Sequence, residues 1–287
     1  MAVDFDAVRR EVEPARALAT DGTVFRRLIA TVLCFSIYGL GGLVVSCLCA
    51  PLLRLVYRDT SWRPTRRLIE RSQRFFVRVL RRSGALTYEV RGAERLGRPG
   101  QMILANHPTL IDAVFLLAFT PRATCIVKDA IWRGPFTRGA VRGARYVTNS
   151  SAAEMIEQAA AALDRGETLI MFPEGTRTAP NAPLVFHRGA ANIAVRAARV
   201  VTPVYIRCAP PSLRKGEPWY HIPRFRMHFS IEVGEDIDLE PYRAQRSIPL
   251  ASRAFNRALQ SHFEARWDEI YCAGAARIAG PAGGAGA

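Results

Sequence analysis

An uncharged apolar segment near the N-terminus constrains this chain more than any other feature. From Leu28 to Leu53 no residue carries a charge, and Arg26, Arg27 and Arg54 bracket the segment. About 20 apolar residues are enough to cross a bilayer as a helix, so this segment is long enough to span one. Its late start and its length argue against a cleaved signal peptide.

Three glycines near the middle of this segment leave a second shape open. Gly39, Gly41 and Gly42 divide it into two halves, 28–38 and 43–53, which could form a hairpin that enters and leaves one leaflet. A buried core helix is a third alternative, which the length disfavours. We therefore predict a membrane-embedding segment at residues 28–53, either spanning or re-entrant.

A basic amphipathic helix is predicted directly after it, at residues 63–82. Between Arg54 and Arg82 ten arginines stand against two acidic residues, and apolar residues recur at helical spacing among them. Such a helix suits the headgroup layer of an anionic membrane, although a solvated helix packed on the domain is the alternative. The arginine excess predicts that the main domain faces the cytoplasm, at the inner (cytoplasmic) membrane.

From about residue 84 the pattern becomes that of an α/β fold. Seven strand-like runs alternate with helical stretches, which predicts a mixed, mostly parallel sheet flanked by helices. The predicted domains are the membrane-associating helices at 1–83, the α/β domain at 84–272 and a disordered Ala/Gly-rich tail at 273–287. Ser151 and Glu154 have the spacing of a capping box at the start of one helix.

The charge balance favours anionic partners. The chain has 40 basic and 25 acidic residues, a net charge of +15, which suits nucleic acid, anionic lipid or a phosphorylated substrate. The adjoining apolar segment disfavours nucleic acid. The six cysteines form no C-x-x-C pair, the five histidines lack metal-ligand spacing, and no Gly-rich phosphate loop occurs, so we expect neither a metal nor a cofactor.

The first candidate site is the segment Asn106–Asp112, which follows the apolar strand Met102–Ala105 and opens a helix. Pro108 keeps His107 outside the helix, and Asp112 lies where it could reach back to the imidazole. An imidazole oriented by a carboxylate is suited to take a proton from a hydroxyl near neutral pH. No serine or cysteine occupies a strand–helix elbow as a nucleophile. This favours direct attack by the hydroxyl of a bound substrate over a covalent enzyme intermediate. A helix-capping histidine is the alternative.

The second candidate site is the segment Phe172–Thr178, which follows another apolar strand. Gly175 permits close approach of a ligand to the backbone, and Arg177 offers a planar cation for phosphate or carboxylate. Glu174 could accept hydrogen bonds from the hydroxyl groups of a bound substrate, or it could hold Arg177 in place. A polar turn with a surface ion pair is the alternative.

Together the two segments resemble the glycerolipid acyltransferase family, whose best-known members acylate 1-acylglycerol 3-phosphate. The resemblance rests on His-x4-Asp followed about 65 residues later by Phe-Pro-Glu-Gly-Thr-Arg, and runs from about Ala85 to Val233. It implies that His107 is the catalytic base and Asp112 its orienting partner. The implied acceptor-binding residues are Glu174, Gly175, Thr176 and Arg177. The chain also resembles the branch associated with bacterial aryl polyene lipid synthesis.

One departure from the family pattern concerns the acceptor phosphate. The family has a Gly-x-x-Phe-x-x-Arg block between the two motifs, and the best match here carries Asn149 in place of the arginine. Asparagine cannot neutralise a phosphate. Either Arg145, Arg142 or Lys128 compensates, or the acceptor is not a simple glycerol phosphate. Lys128 ends a predicted strand and is a candidate phosphate contact, with a surface lysine as the alternative.

The resemblance implies a membrane-associated O-acyltransferase of phospholipid biosynthesis. It would move a fatty acyl group from acyl-carrier protein or acyl-CoA, as co-substrate, to the hydroxyl of a lysophosphatidic acid-like acceptor. Two alternatives are acylation of a specialised lipid, such as an aryl polyene or amino-acid-derived lipid, and a non-catalytic protein that binds anionic lipid. The expected partners are anionic membrane lipids, the acyl carrier and a lysophospholipid, and not nucleic acid.

Overall fold

The computed structural model describes residues 21–179 and 182–278; residues 1–20, 180–181 and 279–287 lie outside it. The helices of the described chain are α1 (Asp21–Val44), α2 (Ala50–Tyr57), α3 (Trp62–Arg82), α4 (Asp112–Phe119), α5 (Asp129–Arg133), α6 (Arg138–Gly143), α7 (Ala152–Asp164), α8 (Arg188–Ala197), α9 (Glu240–Arg243) and α10 (Ile248–Ile278). The strands are β1 (Leu86–Arg91), β2 (Gln101–Ala105), β3 (Thr124–Val127), β4 (Val147–Thr148), β5 (Leu169–Met171), β6 (Val200–Ala209) and β7 (Met227–Val233).

The seven strands form one sheet in the order β1-β7-β6-β2-β5-β3-β4. Neighbouring strands run parallel except for the antiparallel pair β6–β7. The predicted α/β fold with a mixed, mostly parallel sheet is therefore confirmed. One half of the predicted capping box is also present, since the Ser151 hydroxyl accepts the N–H of Glu154 at 3.5 Å.

Helices cover both faces of the sheet, which explains why its central strands are apolar throughout. Every residue of β2 is buried, and its side chains alternate between two cores. Ile103 and Ala105 face α3 and α4, whereas Met102 and Leu104 face α8 and α10. The last helix continues to Ile278, past the boundary predicted at residue 272, and residues 279–287 lie outside the described chain.

The order of the strands brings the two candidate segments together. β2 and β5 are parallel neighbours, with Leu104 paired to Met171. Residues that follow parallel strands emerge at the same edge of the sheet. The segments that begin at Asn106 and Phe172 therefore lie side by side, although many residues separate them in sequence.

The N-terminal apolar segment is one long helix rather than a hairpin. α1 runs straight through Gly39, Gly41 and Gly42, and a π-helical turn at Val45–Cys49 joins it to α2. The hairpin alternative is therefore wrong: a helix with closed backbone hydrogen bonds tolerates these three glycines, each at a cost of about 1 kcal/mol. The helix from Val24 to Thr60 contains an 18-residue stretch with a mean hydropathy of 2.2 and is long enough to cross a membrane.

One face of this helix packs on the α/β domain along much of its length. The Cys34 thiol lies 3.4 Å from the Ser83 hydroxyl, and the Tyr38 ring lies 4.3 Å from that of Phe76 on α3. The Ser46 hydroxyl accepts the backbone N–H of Gly139, on α6, at 2.9 Å. The opposite face exposes apolar side chains, among them Phe25, Ile29, Leu33, Ile37, Leu40, Val44, Leu48, Leu52 and Leu55.

One arginine of the basic helix α3 serves the core instead of a surface. Arg66 is only 2% exposed. Its guanidinium donates to the carbonyl of Ala144 at 2.7 Å and pairs with Glu167 at 2.8 Å. These contacts link α3 to the α/β domain. Loss of the Glu167 carboxylate would leave a buried cation unpaired and would be strongly destabilising.

Gly139 allows the contact between α6 and the N-terminal helix. A Cβ atom there would lie 1.8 Å from the carbonyl oxygen of Ser46. We predict that Gly139→Ala lowers the free energy of unfolding by about 1–3 kcal/mol, because the two backbones must separate. Thermal unfolding in detergent, followed by circular dichroism, measures this change.

The matched control is Gly41→Ala, since no atom lies within 4 Å of a Cβ at that position. There alanine should stabilise the helix by about 0.5–1 kcal/mol. Equal melting temperatures for the two variants would contradict the packing described for α6.

Candidate active site

His107 and Asp112 form a hydrogen-bonded pair where β2 gives way to α4. Nδ1 of His107 lies 2.8 Å from Oδ2 of Asp112, and the carboxylate is fully buried. A buried carboxylate accepts the Nδ1 proton and leaves Nε2 with a free lone pair. The pair thus has the geometry of a general base with its orienting partner, as the sequence predicts.

Thr109 holds the carboxylate of this pair, a role that was not predicted from the sequence. Its backbone N–H donates to Oδ2 of Asp112 at 2.6 Å, and its hydroxyl donates to Oδ1. Three donors therefore satisfy the buried carboxylate, which fixes its position. Only the spacing Thr-x-x-Asp, which is typical of a turn, could have indicated this role.

Phe172 and Asn106 are two further residues that the sequence analysis did not assign to the site. The Phe172 ring stacks on the His107 imidazole, with centroids 4.1 Å apart and planes inclined by 20°. The Asn106 side chain is buried and bonds both the carbonyl and the N–H of Ile206 on β6, at 2.8 and 2.7 Å. Neighbouring strands thus fix the backbone and the ring plane of His107.

Glu174 joins the second segment to the first. Its Oε1 accepts the backbone N–H of His107 at 2.8 Å, and the backbone N–H of Thr178 donates to the carbonyl of His107 at 2.8 Å. Glu174 is 6% exposed. Burial raises the pKa of this carboxyl above its usual value, while the bond from His107 acts in the opposite direction. Glu174 is thus bonded to the backbone of the candidate base.

Arg177 points toward another part of the chain. Its guanidinium donates to the carbonyls of Leu213 and Arg214, at 3.3 and 2.9 Å. The Leu213 carbonyl also accepts the N–H of Leu110, which lies between His107 and the start of α4. Arg177 therefore fixes the loop after β6 beside the His107 segment. An ion pair between Glu174 and Arg177 does not occur among the described residues.

A cavity of about 690 Å³ opens at this edge of the sheet. His107, Phe172 and Gly175 line it on one side, and residues of α1 and α3 line it on another. Gly175 has φ +65°, and a Cβ there would lie 3.3 Å from the ring of His187. Glycine is suited to this position because of its left-handed backbone and the nearby ring. Glu174, Thr176 and Arg177 do not line the cavity.

Of the residues considered for the acceptor phosphate, two line the cavity. Lys128 is one, and Asn149 is the other. Asn149 also accepts the N–H of Asp129 at 2.9 Å and so starts α5. Arg145 donates instead to the carbonyl of Asp59 at 3.0 Å. The Arg142 guanidinium lies 5.7 Å from the centre of the Trp132 ring.

Comparisons with known proteins agree with this geometry. Residues 87–207 match the family model named Acyltransferase. A 1-acyl-sn-glycerol-3-phosphate acyltransferase of Pseudomonas aeruginosa is 26% identical over 137 residues, which cover 46% of this chain and 53% of that protein. A protein of the same name from Limnanthes alba is 29% identical over 136 residues, covering 45% and 48%. The chain thus spans about half the length of the curated relatives it matches.

The fold has a counterpart among solved structures. The crystal structure of the 1-acyl-sn-glycerophosphate (LPA) acyltransferase from Thermotoga maritima superposes with a TM-score of 0.62 at 20% identity. The match covers 84% of this chain and 96% of that one, so it includes most of the fold described above. The predicted resemblance to the glycerolipid acyltransferases is therefore confirmed: residues 87–207 match the Acyltransferase family model, both curated relatives are 1-acyl-sn-glycerol-3-phosphate acyltransferases, and the fold is that of the solved acyltransferase.

Proposed function

We propose that this protein is a membrane-associated O-acyltransferase that transfers a fatty acyl group from a thioester to the hydroxyl of a lysophosphatidic acid-like acceptor. One observation carries the proposal: the His107–Asp112 pair stands at the edge of a largely apolar cavity, with Glu174 holding the backbone of the base. The names of the relatives support the same chemistry.

In the proposed reaction the acceptor hydroxyl gives its proton to Nε2 of His107 while its oxygen attacks the thioester carbonyl. The tetrahedral intermediate then collapses, the carbon–sulfur bond breaks, and the imidazolium returns the proton to the leaving thiolate. The products are the ester and a free thiol. Asp112 stabilises the imidazolium that forms between the two steps. The carrier is coenzyme A or acyl-carrier protein.

Direct transfer is favoured over an acyl-enzyme. Cys125 is the cysteine that lines the cavity. It is 4% exposed, and burial raises the pKa of its thiol to about 12. A thiol with so high a pKa is almost entirely protonated at neutral pH and is a poor nucleophile. His107 is therefore better placed to take the proton of the acceptor hydroxyl than to activate a cysteine.

The cavity suits the acyl chain of the donor. Its volume of about 690 Å³ lies within the range of roughly 300–1,000 Å³ that is usual for small-molecule sites. Apolar side chains from several elements contribute to its wall, including those of Leu43, Ile69, Leu117 and Val141. Burying the chain there, with its carbonyl near His107, would remove apolar surface from water.

Membrane association is supported by the exposed face of the N-terminal helix and by a neighbouring loop. Leu40 and Leu48 are 65% and 63% exposed. Trp219, in the loop between β6 and β7, stacks on Phe35 of α1 with centroids 5.2 Å apart, and Tyr220 beside it is exposed. Tryptophan and tyrosine favour the membrane interface. We propose attachment to the cytoplasmic side of the inner membrane, with anionic lipids attracted by the basic chain.

A second candidate function differs only in the acceptor. Asn149 occupies the position where the family pattern has an arginine, and it lines the cavity. An acceptor without a phosphate, such as a specialised or amino-acid-derived lipid, would need no cation there. The non-catalytic alternative is disfavoured because both motifs are complete and are hydrogen-bonded to each other.

His107→Ala is predicted to lower kcat for acyl transfer by at least about 10²–10⁴-fold, because no other base is left at the hydroxyl. Thiol release from acyl-CoA, measured with a thiol reagent in the presence of lysophosphatidic acid, gives the rate. The control is His228→Ala on β7, a histidine that does not line the cavity. Near-normal transfer by the His107 variant would remove the proposed base.

Glu174→Leu is predicted to lower kcat by about 10²-fold with little change in the acceptor KM. The reason is that the lost carboxylate holds the backbone of His107, and a small displacement of the base is enough to cost this much. Steady-state kinetics with varied lysophosphatidic acid separates the two constants. Glu174→Gln, which keeps an acceptor for the His107 N–H, should recover part of kcat. A large rise in KM alone would assign Glu174 to the acceptor instead.

Lys128→Ala is predicted to raise the KM for lysophosphatidic acid about ten-fold or more, and to leave the KM for an uncharged lyso-acceptor unchanged. Lysine in the cavity wall can neutralise a phosphate, and alanine cannot. The charge-conserving control is Lys128→Arg. Equal effects on the KM of both acceptors would show that Lys128 does not bind the phosphate. A preference of the unmodified enzyme for the uncharged acceptor would favour the second candidate function.

The double variant Leu40→Glu/Leu48→Glu is predicted to bind vesicles at least ten-fold more weakly, because each buried leucine contributes about 1.5–3 kcal/mol. Co-sedimentation with phosphatidylcholine–phosphatidylglycerol vesicles measures the binding. Leu250→Glu is the control, an exposed leucine on α10 at the other face of the sheet. Unchanged sedimentation of the double variant would show that this face does not enter the membrane.

A further inference from the structure

The cavity wall formed by α1 and α3 contains a polar patch. Tyr38 of α1 and two neighbours on α3, Ser72 and Gln73, line the cavity. Gln73 is 9% exposed. Its Nε2 donates to the Tyr38 hydroxyl at 3.4 Å. Its Oε1 is buried and has no hydrogen-bond partner among the described residues.

A buried amide oxygen without a partner destabilises a protein, and an unsubstituted hydrocarbon chain would not relieve this. Leucine or methionine would suit a wall that only contacts methylene groups. A ligand that brings a hydroxyl would satisfy the oxygen of Gln73 by donating to it. Rotating the amide by 180° would present Nε2 in the same place, and a hydroxyl fits that arrangement too because it also accepts.

We infer that Gln73, with Tyr38 and Ser72 beside it, forms a binding site for a hydroxyl group carried by the acyl chain of the donor. The inference rests on the proposed function, because it takes the cavity to be the acyl site. It adds a preference for hydroxylated over plain acyl chains, and it assigns that preference to one side chain.

The position of Gln73 places this hydroxyl away from the thioester. α4 begins at Asp112, beside the base, and the guanidinium of Arg74 donates to the carbonyl of Ala118 at 2.6 Å. Ala118 lies six residues along α4 from Asp112, a rise of about 9 Å at 1.5 Å per residue. Gln73 adjoins Arg74 in sequence, so we expect its side chain to contact the acyl chain beyond the first few carbons.

The test compares palmitic acid with palmitic acids that carry one hydroxyl, at carbon 3, 8, 12 or 16. Each is titrated against the purified full chain in detergent by displacement of a fluorescent fatty acid, and the corresponding acyl-CoA esters are assayed for transfer to lysophosphatidic acid. We expect at least one of the three distal hydroxyls to tighten binding about ten-fold, the factor typical of one buried hydrogen bond. The hydroxyl at carbon 3 should give no gain.

The ratio to follow is the dissociation constant of palmitic acid divided by that of the best-binding hydroxylated acid. Gln73→Leu should reduce this ratio from about ten to about one. Gln245→Leu, the same substitution at an exposed position that does not line the cavity, should leave the ratio at its original value. Tyr38→Phe removes the neighbouring hydroxyl but keeps a ring against Phe76, and should reduce the ratio in part. This variant also provides a second measurement should Gln73→Leu fold poorly.

Two results would overturn the inference and leave the proposed function standing. One is binding and transfer of palmitate with no gain from any hydroxyl, in which case the free oxygen of Gln73 only holds water. The other is a gain that survives Gln73→Leu. If no acyl chain binds and none is transferred, the cavity is not an acyl site, and the proposed function fails together with the inference.

Discussion

Glu174 accepts the backbone N–H of His107 at 2.8 Å, and the candidate site depends on this bond more than on any other. It joins two segments that follow neighbouring parallel strands, and it fixes the backbone from which the imidazole projects. Asp112 holds the ring on one side and Phe172 covers its face. A base held at three points needs little reorganisation during a proton transfer, which is how rigid scaffolds favour catalysis.

The same arrangement connects His107 to the part of the chain that we propose contacts the membrane. The cavity beside His107 reaches α1 and α3, so the apolar helix proposed to contact lipid also forms a wall of the proposed acyl site. Arg177 fixes the start of a loop whose Trp219 stacks on Phe35 of that helix. A donor chain and a lipid acceptor could therefore both reach His107 without crossing bulk water.

Much of the fold and the pairing of His107 with Asp112 could be predicted because their signals are local. Apolar runs mark the strands, and His107, Pro108 and Asp112 lie close enough in sequence for their geometry to follow from a strand–helix junction. The roles of Glu174 and Arg177 could not be predicted, because their partners are the backbone groups of residues remote in sequence. The hairpin alternative failed for a similar reason, since packing against the domain supports a continuous helix that isolated glycines only weaken.

The most direct test is a crystal structure of the full chain with lysophosphatidic acid and a non-transferable thioether analogue of the acyl donor. We predict that the acceptor hydroxyl lies within about 3.2 Å of Nε2 of His107, with the acyl chain inside the cavity and the Glu174–His107 bond intact. An acceptor bound on the far side of Phe172, or an acyl chain outside the cavity, would contradict it.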